Sequence, residues 1–124
     1  MKADLRPSRW RRLKNSWAMR RQKPGAIDLL TDGFLLSRGR RKTDVRWDDV
    51  VQIDGGIRDT LSLDLLFVVF RTRSGAAVTI DEFDDGFRTF ESAVFERWPA
   101  IREHWVQLQC GPLRQPKYET LWQR

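Results

Sequence analysis

The stretch LSLDLLFVVFRTR, residues 61–73, is the most apolar part of the chain and decides the fold. In a β-strand, successive side chains point to opposite faces of the sheet. Here both faces are apolar: Leu61, Leu63, Leu65, Phe67 and Val69 on one, and Leu66, Val68 and Phe70 on the other. This pattern is typical of a strand that is covered from two sides. We therefore predict a central strand around which the other elements are arranged.

The sequence on both sides of this stretch predicts short strands joined by turns. Turn-favouring pairs stand at Asp32-Gly33, Asp48-Asp49 and Ser74-Gly75. Asp32-Gly33 lies between two apolar runs, which is typical of a hairpin whose two turn residues need positive φ. The predicted strands are residues 27–31, 34–37, 43–47, 50–53 and 76–81. Together with residues 61–73 they form an antiparallel sheet.

After residue 81 the apolar spacing changes from that of a strand to that of a helix. The stripes of two predicted helices are Phe87, Phe90, Val94 and Phe95, and then Ile101, Trp105 and Leu108. Pro99 separates the helices, and Gly111-Pro112 ends the second. Alternation of Tyr118, Thr120 and Trp122 predicts a last edge strand. The predicted fold class is α+β: a curved antiparallel sheet or partial barrel capped by a C-terminal helix, with a second short helix.

Four carboxylates precede the first predicted helix: Asp81, Glu82, Asp84 and Asp85. Carboxylates at this position accept hydrogen bonds from free N–H groups and favour the positive end of the helix dipole. The same oxygens could bind calcium or magnesium, but their spacing differs from that of an EF-hand loop. We therefore favour helix capping over a cation site. Asp64, the polar residue at the start of the central strand, is expected at its rim rather than buried.

The positive charge is concentrated at the start of the chain. Residues 1–24 hold nine Lys or Arg against one acid and so carry +8, which leaves −2 for residues 25–124 out of a formal net charge of +6. Pro24-Gly25 is typical of a boundary. We predict a basic N-terminal arm, residues 1–24, followed by a single domain, residues 25–124.

The arm has the pattern of an amphipathic helix. Trp10, Leu13 and Trp17 fall at i, i+3 and i+7 and would share one side. The rest of the surface would be basic, with Arg9, Arg11, Arg12, Lys14, Arg20 and Arg21. Three roles fit: docking on its own domain, insertion at an anionic membrane, or binding to nucleic acid. The basic loop Arg38-Gly39-Arg40-Arg41-Lys42 would extend any anion-binding surface.

Residues that support catalysis are few. His104 is the only histidine and Cys110 the only cysteine, which excludes a zinc site with three or four such ligands. The sequence has no Gly-x-Ser-x-Gly motif and no Gly-rich phosphate loop. We interpret His104 as an ordinary surface or half-buried residue and expect no catalytic residue, no metal and no cofactor. An enzyme built on paired carboxylates is the alternative that the sequence leaves open.

The stretch Val45-Arg46-Trp47-Asp48-Asp49-Val50-Val51-Gln52-Ile53 resembles the Trp-Asp-x-Val/Ile signature of bacterial pleckstrin-homology-like (PH-like) domains. Residues 58–64, residues 82–87, and Trp98-Pro99 with Trp105 are similar to a small uncharacterised bacterial family with such a domain. The resemblance covers about residues 26–124. It implies a bacterial cytoplasmic setting and no particular activity. Eukaryotic members of the broader fold bind phosphoinositides through a basic hairpin, a role that the loop at residues 38–42 would mimic.

These features favour a non-catalytic protein-interaction or adaptor module, located in the cytoplasm, with a protein as its partner. The alternative is peripheral binding to an anionic membrane surface, such as the inner membrane, or to nucleic acid through the arm. A homodimer through an edge strand or the Trp-rich helices is a further expectation about partners.

Overall fold

The computed structural model describes residues 24–59, 64–110 and 117–124. Seven strands lie in these ranges: β1 (Ala26–Leu30), β2 (Gly33–Arg38), β3 (Arg41–Arg46), β4 (Val50–Asp59), β5 (Asp64–Thr72), β6 (Ala77–Asp81) and β7 (Lys117–Gln123). They form two antiparallel sheets, sheet A in the order β1-β2-β3 and sheet B in the order β6-β5-β4-β7. The predicted arm lies outside the described residues, apart from Pro24.

Two short helices connect β6 to β7. They are α1 (Phe87–Arg97) and α2 (Arg102–Cys110), joined through a 3-10 turn at Pro99–Ile101. The predicted α+β class, with antiparallel strands and two short helices, is confirmed. In the described ranges the strands form two separate sheets rather than one curved sheet. The predicted last strand is also confirmed, because β7 pairs with β4 at the edge of sheet B; the helices therefore precede the final strand.

The central strand is buried on both faces, as its sequence predicts. β5 lies between β4 and β6. On its inner face, Leu66, Val68 and Phe70 are at most 1% exposed and belong to the main core. On its outer face, Leu65, Phe67 and Val69 are 4%, 5% and 7% exposed. Asp64, the first residue of β5, is half-buried at the rim.

Aromatic rings join the two sheets and α1 on the inner face. The ring centroid of Phe34, from β2, lies 5.0 Å from that of Phe90 in α1 and 5.5 Å from that of Phe70 in β5. Trp47 follows β3 in a 3-10 turn, Trp47–Asp49, and its ring is 5.4 Å from Phe34. These edge-on and tilted contacts are the arrangements that aromatic pairs prefer. The two sheets therefore share one core.

The first hairpin turn is one residue away from its predicted position. Leu30 pairs with Gly33, so the turn residues are Thr31 and Asp32, and Gly33 is the first residue of β2. The described glycines with positive φ are Gly39, Gly75 and Gly86, so Gly33 is not one of them. A Cβ at Gly33 would overlap the backbone of Val45 in β3. The glycine at this position therefore permits close approach of β3 rather than a left-handed turn.

The prediction that carboxylates cap the first helix is wrong. The residue before α1 is Gly86, with φ of 88°, and no side chain caps the helix. The Phe87 N–H instead donates to the backbone oxygen of Asp84. Gly86 is required because a Cβ would lie 2.8 Å from the Ile27 carbonyl oxygen, where β1 passes close to the turn. The carboxylates of this turn bind other strands instead: Asp84 accepts from Arg38 of β2, and Glu82 accepts from the Leu66 N–H of β5.

Candidate functional site

Two neighbouring leucines are exposed at the end of β1. Leu29 is 38% exposed and Leu30 is 42% exposed. β1 is an edge strand, because it pairs with β2 on one side only. On the other side of β1, Ala26 forms a single bridge to Asp85, and no other described residue pairs with that side. Ala26 is at the opposite end of the strand from the leucines. The end of β1 that carries the leucines therefore has a free backbone edge within the part of the chain that is described.

The two leucines line a groove between sheet A and α1. Its volume is about 450 Å³, and its lining residues are Leu29, Leu30, Thr31, Trp47, Ala93, Glu96 and Arg97. We call this the leucine groove. The small side chain of Ala93 on α1 leaves the groove open. Its wall is firmly supported, because the ring of Trp47 also contacts Trp98 at 5.5 Å between centroids.

The charges at the rim of the leucine groove are not equivalent. Arg97 donates to Asp48 over 2.7 Å, so its charge is already compensated. Glu96 is exposed and forms no ion pair with any residue in the described ranges. A groove that combines apolar side chains with a carboxylate unpaired in the described ranges favours a ligand with a large apolar side chain and a basic group nearby.

Arg38, one of the predicted anion-binding residues, has a structural role. Its guanidinium donates to both carboxylate oxygens of Asp84, over 3.0 and 3.1 Å, and to the Thr79 carbonyl over 3.2 Å. The predicted basic loop is a two-residue turn, Gly39 and Arg40, because Arg41 already begins β3.

The exposed cations at this turn and directly after it are Arg40, Arg41 and Lys42. The arm residues that were predicted to act with them lie outside the described ranges: Arg9, Trp10, Arg11, Arg12, Leu13, Lys14, Trp17, Arg20 and Arg21.

Asp84 fixes the start of the domain against this hairpin. Its side chain is fully buried. Besides the guanidinium of Arg38, it accepts the N–H of Gly25 over 2.7 Å and the N–H of Asp81 over 2.9 Å. A buried carboxylate with four donors is fully hydrogen-bonded, so its role is structural. As a result, the chain enters the domain next to the basic hairpin.

A second buried carboxylate, Asp54 on β4, was not singled out from the sequence. It is 2% exposed and accepts hydrogen bonds from Gln52 over 2.7 Å, the hydroxyl of Tyr118 over 2.7 Å and Nε of Arg71 over 3.0 Å. Burial acts to raise its pKa, but these hydrogen bonds outweigh burial and hold the pKa of Asp54 below its ordinary value. Arg71 and Tyr118 are 17 and 64 residues away from Asp54 in the sequence, so no local sequence pattern indicates that they bind it.

Asp81 and Arg58 lie on the outer face of sheet B and are both buried, at 7% and 6% exposure. Burial, together with the nearby charge of Asp84, raises the pKa of Asp81. Burial lowers the pKa of Arg58, and the charge of Asp81 opposes this effect. The guanidinium of Arg58 lies over the ring of Phe67, 4.6 Å from its centroid. These groups are packed against the sheet rather than aimed into a cleft.

The acidic turn at residues 81–85 is explained without a cation. Asp81 accepts the Phe83 N–H, and Glu82 accepts the Leu66 N–H. Within the described ranges, no group of three or more His, Cys, Asp or Glu side chains has an arrangement that could hold a metal ion. Nor does a helix in those ranges combine the length and apolar character needed to cross a membrane. His104 is exposed on α2.

Comparison with known protein families, with curated proteins and with solved structures found no match. A function is therefore inferred from the surfaces of the chain.

Proposed function

We propose that the chain is a non-catalytic protein-interaction module that binds a segment of a partner protein in the leucine groove. The observation that carries the proposal is the exposure of Leu29 and Leu30, 38% and 42%, beside the concave surface formed by Trp47 and Ala93. Isolated exposed leucines are ordinary, but a pair that lines a groove is typical of an interaction site. At protein interfaces, a few well-packed anchor side chains supply most of the binding free energy, and Trp47 in the wall of the groove is a side chain of the type that is enriched among them.

The proposed ligand is an extended peptide with one large apolar residue and a nearby Lys or Arg. The free edge of β1 offers backbone groups with which an extended segment pairs, and the groove accepts its apolar side chain. Glu96 at the rim attracts the basic residue.

Selection from a random peptide library displayed on phage, with the full chain immobilised, tests this function. Selected peptides should contain an apolar residue followed or preceded by Lys or Arg, and should bind in a fluorescence anisotropy assay. Leu30→Glu should weaken binding at least about tenfold, because it places a charge in the apolar groove. The matched control is Val106→Glu, which changes an apolar side chain that is 44% exposed on α2. Equal weakening by both variants, or no selected peptide, contradicts the proposal.

A second copy of the chain is the competing occupant of the leucine groove. Light scattering across a range of concentrations detects a dimer, and Leu30→Glu should dissociate a dimer built on this groove. A dimer that is abolished by Leu30→Glu while no peptide binds would replace the peptide proposal by self-association.

The second candidate function is binding to an anionic membrane surface or to nucleic acid through basic residues. It is favoured by one contact: Asp84 binds both the Gly25 N–H and Arg38, the residue before the Gly39-Arg40 turn. The basic arm, with +8 over residues 1–24, therefore joins the domain at the same end as Arg40, Arg41 and Lys42. Charges gathered at one end of a molecule strengthen attraction to a polyanion.

This second function is tested with the full chain on vesicles containing phosphatidylserine and on DNA and RNA fragments. Binding should weaken steeply as salt rises, because counterions are released from nucleic acid and surface charges are screened. The triple variant R40E/R41E/K42E should weaken binding further. Its control, R73E/R88E/R102E, makes the same change of charge elsewhere. Binding to vesicles alone would favour a membrane ligand, and binding to DNA or RNA alone would favour nucleic acid. If the two triple variants weaken binding equally, the proposed role of the hairpin is contradicted.

We also propose a distant relationship to PH-like domains and a bacterial cytoplasmic setting. Support comes from the antiparallel strands that the described residues form in two sheets, and from the position of the Trp-Asp-x-Val stretch at the 3-10 turn Trp47–Asp49, between β3 and β4. The strand β7 after the helices departs from a fold that ends in a helix. A crystal structure of the full chain, superposed on such domains, tests the relationship, and a different strand order would contradict it.

A further inference from the structure

The outer face of sheet B carries an apolar row that is removed from solvent. Leu65, Phe67 and Val69 alternate along β5 and are 4%, 5% and 7% exposed. They point away from the main core, which contains Leu66, Val68 and Phe70. Apolar residues on the outer side of a central strand would face water if nothing were placed over them.

The described elements do not cover this row. Both helices contribute their buried side chains to the core on the inner face, for example Phe90 from α1 and Trp105 from α2. Sheet A packs on the same side through Phe34. Over the row itself, the ring of Phe67 contacts side chains of its own sheet, Arg58 and Tyr118. A cover for this row must therefore come from residues of this chain outside the described ranges.

Charged groups of both signs accompany the apolar row, since Arg58 on β4 pairs with Leu65 and Arg71 on β5 binds Asp54. Asp81 on β6 pairs with Phe67, and Asp54 on β4 pairs with Val69, so both carboxylates share the face with the row. They are 7% and 2% exposed. A segment with one apolar side is complementary to such a face, because that side buries the row.

We propose that the N-terminal arm of the same chain docks on the outer face of sheet B, with Trp10, Leu13 and Trp17 over Leu65, Phe67 and Val69. The place where the arm joins the domain supports this. The N–H of Gly25 binds one oxygen of Asp84, and the other oxygen binds the N–H of Asp81. The arm therefore joins the domain beside Asp81, at the margin of the outer face.

The lengths match. Positions i to i+7 on one side of a helix span about 10 Å at 1.5 Å per residue. The row from Leu65 to Val69 spans about 13 Å at 3.3 Å per residue. The eight Cα–Cα steps from Trp17 to Gly25 can bridge up to about 26 Å, several times the spacing of neighbouring strands.

The proposal is independent of the leucine groove, which lies between sheet A and α1. It selects the first of the roles that the sequence of the arm leaves open. With its apolar side on the sheet, the arm presents its basic side to the surroundings.

The direct test is nuclear magnetic resonance of the isotope-labelled full chain. Nuclear Overhauser effects are expected between the indole protons of Trp10 or Trp17 and the methyl groups of Leu65 or Val69. A mixture of labelled and unlabelled chains distinguishes an arm on its own sheet from an arm exchanged between two copies. Indole contacts that are absent, that involve the inner face, or that occur only between chains would overturn the proposal.

Limited trypsin digestion supplies a second measurement, because Arg20 and Arg21 lie next to the docking residues. The double variant W10E/W17E should be cleaved there at least about tenfold faster than the wild type, since withdrawal of two large apolar side chains raises the undocked fraction. The control S8E/S16E adds the same charge to the arm and should change the rate less than about threefold. Equal rates for both variants and the wild type would also overturn the proposal.

Discussion

At the scale of single residues, Asp84 holds separate segments of the chain together, since its donors are Gly25, Arg38 and Asp81. Removal of one charge from a buried ion pair leaves the other uncompensated. Asp84→Asn should therefore lower the free energy of unfolding by about 3–5 kcal/mol, measured by urea denaturation at pH 7. The control is Asp32→Asn, because Asp32 pairs with Arg46 at side-chain exposures of 62% and 60%. This exposed pair should be worth less than about 1 kcal/mol, and equal losses would contradict the assigned role of Asp84.

Asp54 should stabilise the fold at neutral pH and cease to do so in acid. Its pKa lies below the ordinary value in the folded chain, so its contribution is complete above the unfolded pKa, about 3.9, and is lost as pH falls through the folded pKa. Asp54→Asn should cost roughly 1–3 kcal/mol at pH 7. Urea unfolding of both proteins from pH 7 to pH 3 should show the difference shrinking below about pH 4; a difference independent of pH contradicts this account.

Asp81 should show the opposite dependence on pH. Burial raises its folded pKa, so its contribution is complete below the unfolded pKa and is lost as pH rises through the folded value. Asp81→Asn retains an oxygen that can accept the Phe83 N–H. Relative to the wild type, this variant should therefore become more stable between about pH 4 and pH 7. The same urea series measures it, and a relative loss of stability across that interval would refute the expectation.

At the scale of a hairpin, the glycine at position 33 is explained by the neighbouring strand. The Cβ of an alanine would meet the Val45 carbonyl and the Arg46 backbone, neither of which is a flexible side-chain end. Gly33→Ala should therefore destabilise the chain by about 2 kcal/mol or more, as overpacking does in well-packed cores. Thermal unfolding followed by circular dichroism measures the loss. Thr31→Ala, in the exposed turn, is the control and should change stability by less than about 0.5 kcal/mol.

The elements were predictable where periodicity determines them, and less so where contacts are remote. Alternation on β5 and helical spacing at Phe87, Phe90 and Val94 identified a central strand and α1. The Asp32-Gly33 signal found a hairpin but misplaced its turn, because glycine also serves close approach between strands. The acidic turn before α1 was read as a cap, yet Asp84 is held by Arg38, 46 residues away in sequence. No local pattern carries that pairing.

At the scale of the whole molecule, the candidate site depends on which elements the fold brings together. Leu29 and Leu30 of β1 line a groove with Ala93 of α1, and the contacts of Phe34 with Trp47 and Phe90 hold that helix against sheet A. In the sequence, Leu29 and Leu30 are simply part of an apolar strand, so their exposure could not be predicted. The sequence shows the basic residues at positions 38–42, but it does not show that Arg38 forms an ion pair with the buried Asp84.

Two sheets with one shared core should unfold together. Phe34 is fully buried and contacts Phe70 of sheet B and Phe90 of α1. A change there weakens both sheets at once, so Phe34→Leu should lower the free energy of unfolding by about 1–2 kcal/mol while leaving a single transition. Tryptophan fluorescence and far-ultraviolet circular dichroism should report the same midpoint in urea for the wild type and the variant. Separate midpoints for the two probes would show that the sheets unfold independently and that the aromatic contacts at Phe34 do not couple them.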